Sequence, residues 1–369
     1  MAEDRQYIQG LDEYIRQGEP QERERGRAWQ TAIGLQEVDG LKTSPYLLDT
    51  ARRHIEGDIT IGEAKQLIDS FYRAQSGHRE IEDDRTEEAD KVSARITELL
   101  QEQTFNFSPA QYTSIHRRLF EGIYKFAGRI RDYNITKNEW VLRGKTVYYA
   151  SADTISETLD YDMSQERNYS YEGKSIDEAI SHLTRFCANL WQIHAFGEGN
   201  TRTTAVFMIK YLNTLGFNVT NDLFATHSWY FRNALVRANY SNLQKGVTET
   251  TVYLERFFRN MLLGESTPLR NREVHLDWKS EADVQSARNG SQSVSFAQGL
   301  PPKCKNCTLE EVAVLRVIQQ EPAATQKYIA FEIGKSERTV KSITARLQEQ
   351  GILMRKNGKR NGYWEIINE

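Results

Sequence analysis

Residues 194–202 have the sequence His-Ala-Phe-Gly-Glu-Gly-Asn-Thr-Arg, which stands between two apolar segments of helical spacing. The apolar positions are Leu183, Phe186, Leu190 and Ile193 before the stretch, and Val206, Phe207, Ile209 and Leu212 after it. This period predicts helices over 175–194 and 201–216. Gly197 and Gly199 interrupt the helical pattern, so the polar residues are predicted to lie on a tight loop at a helix N-terminus.

Such a loop suits the binding of phosphate. The first backbone N–H groups of a helix have no internal partner, and the helix dipole favours an anion there. Glu198 offers a carboxylate for Mg²⁺, Asn200 and Arg202 offer donors for phosphate oxygens, and His194 can accept a proton near neutral pH. Each residue alone is more often structural, but the whole set within nine residues predicts phosphoryl-transfer chemistry.

The stretch resembles the signature of the Fic family, His-x-Phe-x-(Asp/Glu)-Gly-Asn-Gly-Arg with a second Arg soon after, and the likeness extends over 105–263. The resemblance implies a soluble, Mg²⁺-dependent enzyme that transfers AMP from ATP to a Tyr, Thr or Ser hydroxyl of a target protein. It implies that His194 is the general base, Phe196 a core anchor and Glu198 the Mg²⁺ ligand. The implied nucleotide and phosphate contacts are Gly197, Gly199, Asn200, Thr201 and Arg202.

Two positions depart from the family pattern. Thr201 replaces the glycine that follows the Asn, and Ala205 replaces the second Arg. In the related Doc proteins a Lys stands at the position of Thr201, and those proteins transfer the terminal phosphate. A Doc-like phosphotransferase is therefore the alternative activity, and the lost arginine removes one charge-assisted contact, worth about 1.5–3 kcal/mol.

Residues 133–150 are rich in β-branched and aromatic residues around a Gly, which predicts a β-hairpin in a helical region. The part over 137–150 resembles the Fic "flap", which pairs with the target by β-augmentation. The resemblance implies that the target docks on the flap residues Lys137, Trp140, Val141 and Leu142.

Residues 28–73 resemble the small helical antitoxin module that accompanies some Fic proteins. The family's inhibitory helix carries a Glu that engages the second motif arginine, and Asp39 is the best counterpart here by order. Because Ala205 stands in place of that arginine, a carboxylate at Asp39 is expected to lack its charge partner. The module is therefore expected to be a structural cap with weakened or no inhibition.

Residues 308–369 are predicted to form three helices and two strands, an order that resembles a winged helix–turn–helix domain. Residues 335–362 include eight basic and two acidic residues, which gives this segment a net charge of +6. This charge suits phosphates of duplex DNA, although many winged helices contact only proteins. The candidate DNA contacts are Arg338, Lys341, Arg355, Lys356, Lys359 and Arg360. A DNA-binding regulator whose Fic domain only senses nucleotide is the third hypothesis.

Composition bounds these interpretations. The 369 residues are 39% hydrophobic, enough for two or three cores, and the net charge of −3 excludes a globally basic nucleic-acid coat. No secretory signal or membrane span is visible, so a cytoplasmic location without membrane contact is expected. Three cysteines fit a reducing compartment, and Cys304 and Cys307 are interpreted as two loop thiols. A homodimer is expected by likeness to related proteins.

The predicted fold is mostly α: a Fic-type helical bundle with a β-hairpin flap and a C-terminal winged helix domain. Its predicted parts are a helical region (1–104), the Fic domain (105–263), a linker (264–307) and the winged helix domain (308–369). Further helices are predicted over 25–37, 60–74, 87–102, 108–126, 228–240 and 249–263.

Overall fold

The computed structural model describes residues 11, 15–75, 81–217, 219, 222–278, 307–356 and 362–367. It is mostly helical, which confirms the predicted fold class. Among these described residues, no helix has the length and apolar character that a membrane span requires.

Four helices precede the motif region: α1 (Pro20–Gly34), α2 (Pro45–Glu56), α3 (Ile61–Ala74) and α4 (Ile81–Gln101). Ser44 caps α2 and Thr60 caps α3, each accepting a hydrogen bond from the third residue of its helix. Trp29, Leu47 and other apolar residues form a small separate core here. A 3₁₀ turn over Leu35–Asp39 continues α1 and carries Asp39 toward the main core.

The central bundle contains α5 (Pro109–Phe120), α6 (Ile155–Asn168), α7 (Ile176–Ile193), α8 (Asn200–Thr214), α9 (Asp222–Ala238) and α10 (Val252–Leu263). Helix α8 is buried at every position from Asn200 to Leu212. A helix covered on all sides is the centre of a bundle, so the loop before α8 is held by packing from several directions.

The predicted hairpin over 133–150 forms no strands in the structure and is a narrow loop instead. Glu139 and Lys145 form one antiparallel bridge, and a 3₁₀ turn over Trp140–Leu142 makes the tip. The first part of the predicted linker is packed against this region: it contains α11 (Asn271–Val274), in which Val274 is fully buried.

The C-terminal part has the predicted order of elements: α12 (Leu309–Gln320), α13 (Gln326–Glu332), α14 (Glu337–Glu349), β1 (Leu353–Lys356) and β2 (Tyr363–Ile366). The strands are antiparallel, with Leu353 opposite Ile366. Arg316 on α12 donates a hydrogen bond to the Met261 carbonyl, so this part contacts the end of α10. Its assignment as a winged helix domain stays a prediction.

The cysteine interpretation is wrong for Cys307. This residue is disulfide-bonded and almost completely buried, and its carbonyl accepts a hydrogen bond from the N–H of Ile176 at 2.9 Å. Cys187 is a buried free thiol. Cys304 lies outside the described residues.

Candidate active site

His194 ends helix α7 in a left-handed conformation, with φ 51° and ψ 55°. A side chain other than glycine pays a conformational cost there, and such costs concentrate at functional sites. The imidazole packs against the ring of Tyr149 at 4.2 Å between centroids and against the edge of Trp191 at 5.3 Å. The strained backbone and the two aromatic rings together fix where the imidazole lies.

The His194 imidazole is buried, yet neither ring nitrogen has a hydrogen-bond partner among the described residues. Burial lowers the pKa of His194 well below its usual value, and the positive charges of Lys137, Arg131 and Arg232 lower it further. The ring is therefore neutral at pH 7, with a lone pair that can accept a proton. The three cations also make the surroundings attractive to an anion.

Arg131, a residue that the sequence did not single out, ties the His194 loop to the base of the flap. Its Nε donates to the His194 carbonyl at 2.8 Å, and its two Nη atoms donate to the carbonyls of Tyr133 at 2.6 Å and Ala150 at 2.5 Å. Its backbone N–H donates to the Ala195 carbonyl. One buried guanidinium thus fixes both arms of the flap against the motif.

The loop between His194 and α8 is closed by Asn200. The Asn200 amide accepts a hydrogen bond from the Phe196 N–H at 2.9 Å and donates to the Phe196 carbonyl at 2.7 Å. In this structure the side chain assigned to phosphate binding holds the loop instead, and Phe196 is the buried anchor that the resemblance implied.

His116 on α5 also contacts this loop. Its ring stacks on Phe196 at 3.7 Å between centroids, and its Nδ1 accepts a hydrogen bond from the Gly128 N–H. Because burial lowers the pKa of His116 to about 4, the ring is neutral and its Nε2–H donates to the Glu198 carbonyl at 3.0 Å. The sequence contained no local signal for this support.

The glycines are required by close packing. Gly199 has φ 77°, and a Cβ there would lie 2.3 Å from an atom of the Phe120 ring. A Cβ at Gly197 would lie 2.7 Å from the Tyr133 hydroxyl. The requirement for glycine is strict at Gly199, because its φ is positive and the Phe120 ring is buried, whereas Tyr133 is half exposed.

Helix α8 presents its first amides at this loop. Gly199 is the N-cap, and the first hydrogen bond of the helix runs from the Thr203 N–H to the Gly199 carbonyl at 3.0 Å. The amides of residues 200–202 precede that bond and have no partner within the helix. Such free amides suit an anion, and their role in binding phosphate stays a prediction.

Glu198 projects outward from the loop, and its side chain is half exposed. Its Oε2 lies 2.9 Å from Nζ of Lys137 on the flap. The predicted metal ligand and the first predicted flap residue are therefore brought together as an ion pair, which joins the flap to the motif.

Thr201 faces the interior of the bundle. Its hydroxyl accepts a hydrogen bond from Trp191 Nε1 at 3.0 Å. The side chain that replaces the family's glycine therefore points into a structural contact, and Ala205 is fully buried on the same helix.

Arg202 is almost completely buried and lies among acidic groups from the N-terminal helices. Its Nε lies 2.8 Å from Oδ2 of Asp39, and its Nη2 lies 2.6 Å from Oε1 of Glu88. Gln36 accepts a further hydrogen bond at 3.0 Å, and the guanidinium lies 4.7 Å from the centre of the Phe120 ring. The expectation that Asp39 lacks a charge partner is thus wrong, because the first motif arginine takes the place of the missing second one.

The flap is held on its inner side by a buried carboxylate. Glu139 is fully buried, pairs with both Nη atoms of Arg232 on α9 at 2.7 and 3.2 Å, and accepts a hydrogen bond from the Tyr149 hydroxyl. Of the predicted docking residues, Val141 and Leu142 are fully buried, whereas Trp140 is half exposed.

The basic residues of the C-terminal part are mostly engaged within the chain. Lys341 pairs with Glu337 and Lys356 with Glu365, each at 2.7 Å, and Arg355 lies over the Trp364 ring. Arg338 is exposed on α14. Lys359 and Arg360 lie outside the described residues, and contact with DNA stays a prediction.

Comparison with known proteins connects this geometry to a family. The chain is 23% identical over 207 residues to the protein adenylyltransferase VbhT of Bartonella schoenbuchensis, an alignment that covers 54% of this chain and 40% of that protein. A crystal structure of a Fic family protein from Desulfovibrio desulfuricans G20 aligns with all of this chain and 96% of its own, at 13% identity and a TM-score of 0.42. The model of the Fic/DOC family matches residues 106–212, from just before α5 to near the end of α8. The chain therefore contains a Fic/DOC family domain, and the loop from His194 to Arg202 lies within it.

Proposed function

We propose that the protein transfers AMP from ATP to a hydroxyl of a target protein. The observation that supports this most is the His194 imidazole, which is buried, neutral and without a hydrogen-bond partner in the described part of the chain. It stands on the loop that leads into the first amides of α8. A neutral imidazole next to an anion-binding helix end is what an acceptor hydroxyl needs to lose its proton while it attacks a phosphate. The similarity to a protein adenylyltransferase also supports this proposal.

The nucleotide's phosphates would bind where the amides of residues 200–202 point, with the positive charges of Lys137, Arg131 and Arg232 nearby. Bound phosphates would raise the pKa of His194 again, because a neighbouring negative charge stabilises the imidazolium. The base would thus strengthen when its substrate is present.

Glu198 fits a role in holding Mg²⁺ with the phosphates. Among the residues that the structure describes, no three His, Cys, Asp or Glu side chains form a metal-binding group. Mg²⁺ commonly needs only one or two carboxylates when phosphate oxygens and water supply the other ligands, and the half-exposed Glu198 offers one. When bound, the ion would neutralise phosphate charge, and Lys137 would give up its pairing with Glu198.

In the proposed step, the acceptor oxygen bonds to the α-phosphorus while the bond from that phosphorus to the bridging oxygen breaks. Pyrophosphate leaves, and the proton of the hydroxyl passes to a ring nitrogen of His194. The residues contribute mainly position and charge, as in other phosphoryl transfers.

The alternative, transfer of the terminal phosphate, rested on Thr201. The hydroxyl of Thr201 is engaged by Trp191 inside the bundle, which gives this residue a structural role and favours AMP transfer. Because this side chain at the start of α8 is already engaged by Trp191, the main reason to expect Doc-like chemistry is weaker.

ATP labelled at either the α or the γ phosphorus distinguishes these activities. We expect label from the α position on protein, an adduct with the mass of AMP, and loss of both in His194→Ala. The control is His227→Ala, a half-buried histidine outside the motif. Label from the γ position would support the phosphotransferase. No label with the wild type, together with a DNA gel shift that persists in His194→Ala, would support a nucleotide-sensing regulator.

A further inference from the structure

The tip of the flap is covered by a segment of the same chain. We call Val274–Trp278 the strap; it begins at the last residue of α11. The backbone N–H of Leu276 donates a hydrogen bond to the Val141 carbonyl at 3.0 Å. A main-chain hydrogen bond of this kind is also how a bound peptide engages an exposed backbone edge.

Side chains on both sides of that hydrogen bond also meet. Asp277 of the strap forms an ion pair with Arg143, and His275 packs on Trp140 with 4.9 Å between ring centroids. The flap tip thus presents one backbone acceptor, one cation and one aromatic ring, and the strap satisfies all three.

The strap is anchored firmly at one end and weakly at the other. Asn271 accepts a hydrogen bond from Asn233 on α9 at 2.8 Å, and Val274 is fully buried. Beyond them, His275 to Trp278 form a turn closed by the Trp278 N–H and the His275 carbonyl. Asp277 and Arg143 are both largely exposed, and exposed ion pairs contribute little to stability. The outer part of the strap is therefore held to the flap mainly by exposed contacts, and the partly buried Leu276 adds packing against the main core.

We infer that the strap occupies, in cis, the surface of the flap where a target segment would bind, and that a target must displace it. This inference rests on the proposed function. It also specifies the chemistry of a competing segment: a free backbone N–H for the Val141 carbonyl, followed by an acidic residue for Arg143. Because the strap is tethered, its effective concentration at the flap is high, and a free segment competes poorly until the strap is released.

Leu276→Pro tests this inference. The substitution removes the N–H that reaches Val141, and the position suits proline because Leu276 is the second residue of the turn. The preceding residue, His275, already has φ −69° and ψ 141°, which a following proline favours. Leu276→Ala is the matched control, since it shortens the side chain but keeps the N–H.

The probe is a fluorescein-labelled peptide with the sequence of residues 270–278, and its binding to the full chain is measured by fluorescence anisotropy. We expect the peptide to bind Leu276→Pro at least fivefold more tightly than the wild type, and Leu276→Ala within twofold of the wild type. Adding Arg143→Ala to Leu276→Pro should reverse the gain. Equal affinity for the wild type and Leu276→Pro, or no binding to either, would overturn the inference.

Hydrogen exchange gives a second readout, on variants changed only at exposed positions. We expect the amides of Leu142 and Gly144 in the flap to exchange at least threefold faster in Asp277→Lys, and the charge-swapped Arg143→Asp/Asp277→Lys to recover the wild-type rate. Unchanged exchange in Asp277→Lys would contradict the strap's role. Neither measurement needs ATP, so both remain decisive even if the chain fails to label any protein.

Discussion

Replacing Asp39 with Asn should tighten the binding of ATP. Asp39 lies on the N-terminal 3₁₀ turn, and its carboxylate is within 2.8 Å of Nε of Arg202, the arginine proposed to contact phosphate. While this pair persists, phosphate must compete with a carboxylate for the same guanidinium. The Asp39→Asn substitution would keep the size of the side chain and remove the competing charge.

The magnitude follows from the geometry. A charge-assisted contact contributes about 1.5–3 kcal/mol when it is well formed. The two atoms are close but not aligned for a hydrogen bond, and the Asp39 side chain is 27% exposed, so the lower end applies. A gain of about 1.4 kcal/mol corresponds to a tenfold lower Kd for ATP. Glu88 stays in place to pair with Arg202, so the variant should fold.

Isothermal titration with ATP and Mg²⁺ measures the effect directly. Asp49→Asn is the control, because Asp49 is an exposed carboxylate on α2 whose partner is Arg52. The same substitution of Asp39 in an Arg202→Gln background should change Kd by less than twofold, since the competing arginine is gone. If Asp39→Asn tightened ATP equally in both backgrounds, or weakened it in the first, the reasoning about Arg202 would be refuted.

Three further predictions concern stability and the motif helix. Gly199→Ala should lower the free energy of unfolding by at least about 2 kcal/mol more than Gly173→Ala does. Both glycines have positive φ, but only a Cβ at Gly199 would meet an aromatic ring. Urea unfolding of the two variants therefore measures the cost of that clash. Thr201→Val should lower the free energy of unfolding by about 1–3 kcal/mol, because it leaves Trp191 Nε1 without an acceptor. The rate of labelling should stay within threefold of the wild type. A switch of label from the α to the γ phosphorus would refute the structural role. Burial raises the pKa of Asp90 from 3.8 to about 6, so its contribution to stability is present below pH 4 and is lost as pH rises through 6. Asp90→Asn should therefore gain stability relative to the wild type between pH 4 and pH 7, by up to about 3 kcal/mol, and a pH-independent difference in urea unfolding would contradict this.

The sequence predicted the motif helices well because their signals are local. The predicted spans 175–194 and 201–216 compare with Ile176–Ile193 and Asn200–Thr214 in the structure. Apolar residues at helical spacing define each helix, and Gly197 and Gly199 define the break between the two helices. The loop could be located because the residues of its motif lie within nine positions.

Other helices were missed or given the wrong end. The helix Pro45–Glu56 was not predicted, although it begins with Ser-Pro like Pro109–Phe120 and has the same length of 12 residues. The latter helix ends at Phe120 rather than at 126, because the chain turns at Gly122, which has φ 73°. Helical spacing of apolar residues continues past that turn, since those residues still face the core, so periodicity alone cannot locate the end.

The partners of the charged residues could not be predicted, because they lie far apart in sequence. Arg232 pairs with Glu139, which is 93 positions away in the sequence, and Arg202 pairs with Glu88, which is 114 positions away. A local pattern contains no information on such pairs, and each depends on how the helices pack. The same holds for Arg131, whose hydrogen bonds go to backbone carbonyls that any residue would offer.

These long-range pairs share one consequence for the proposed chemistry. Lys137 is paired with Glu198 and Arg202 with Asp39 and Glu88, so each of these two cations already has a carboxylate partner before a phosphate arrives. Binding of a triphosphate therefore exchanges one anion for another, and the net gain is smaller than the sum of the new contacts. The carboxylates that are hardest to displace then limit the affinity. Glu198 is half exposed and has Mg²⁺ as an alternative partner, whereas Asp39 belongs to a separate helical module, so the nucleotide's affinity should depend more on that module than on the motif itself.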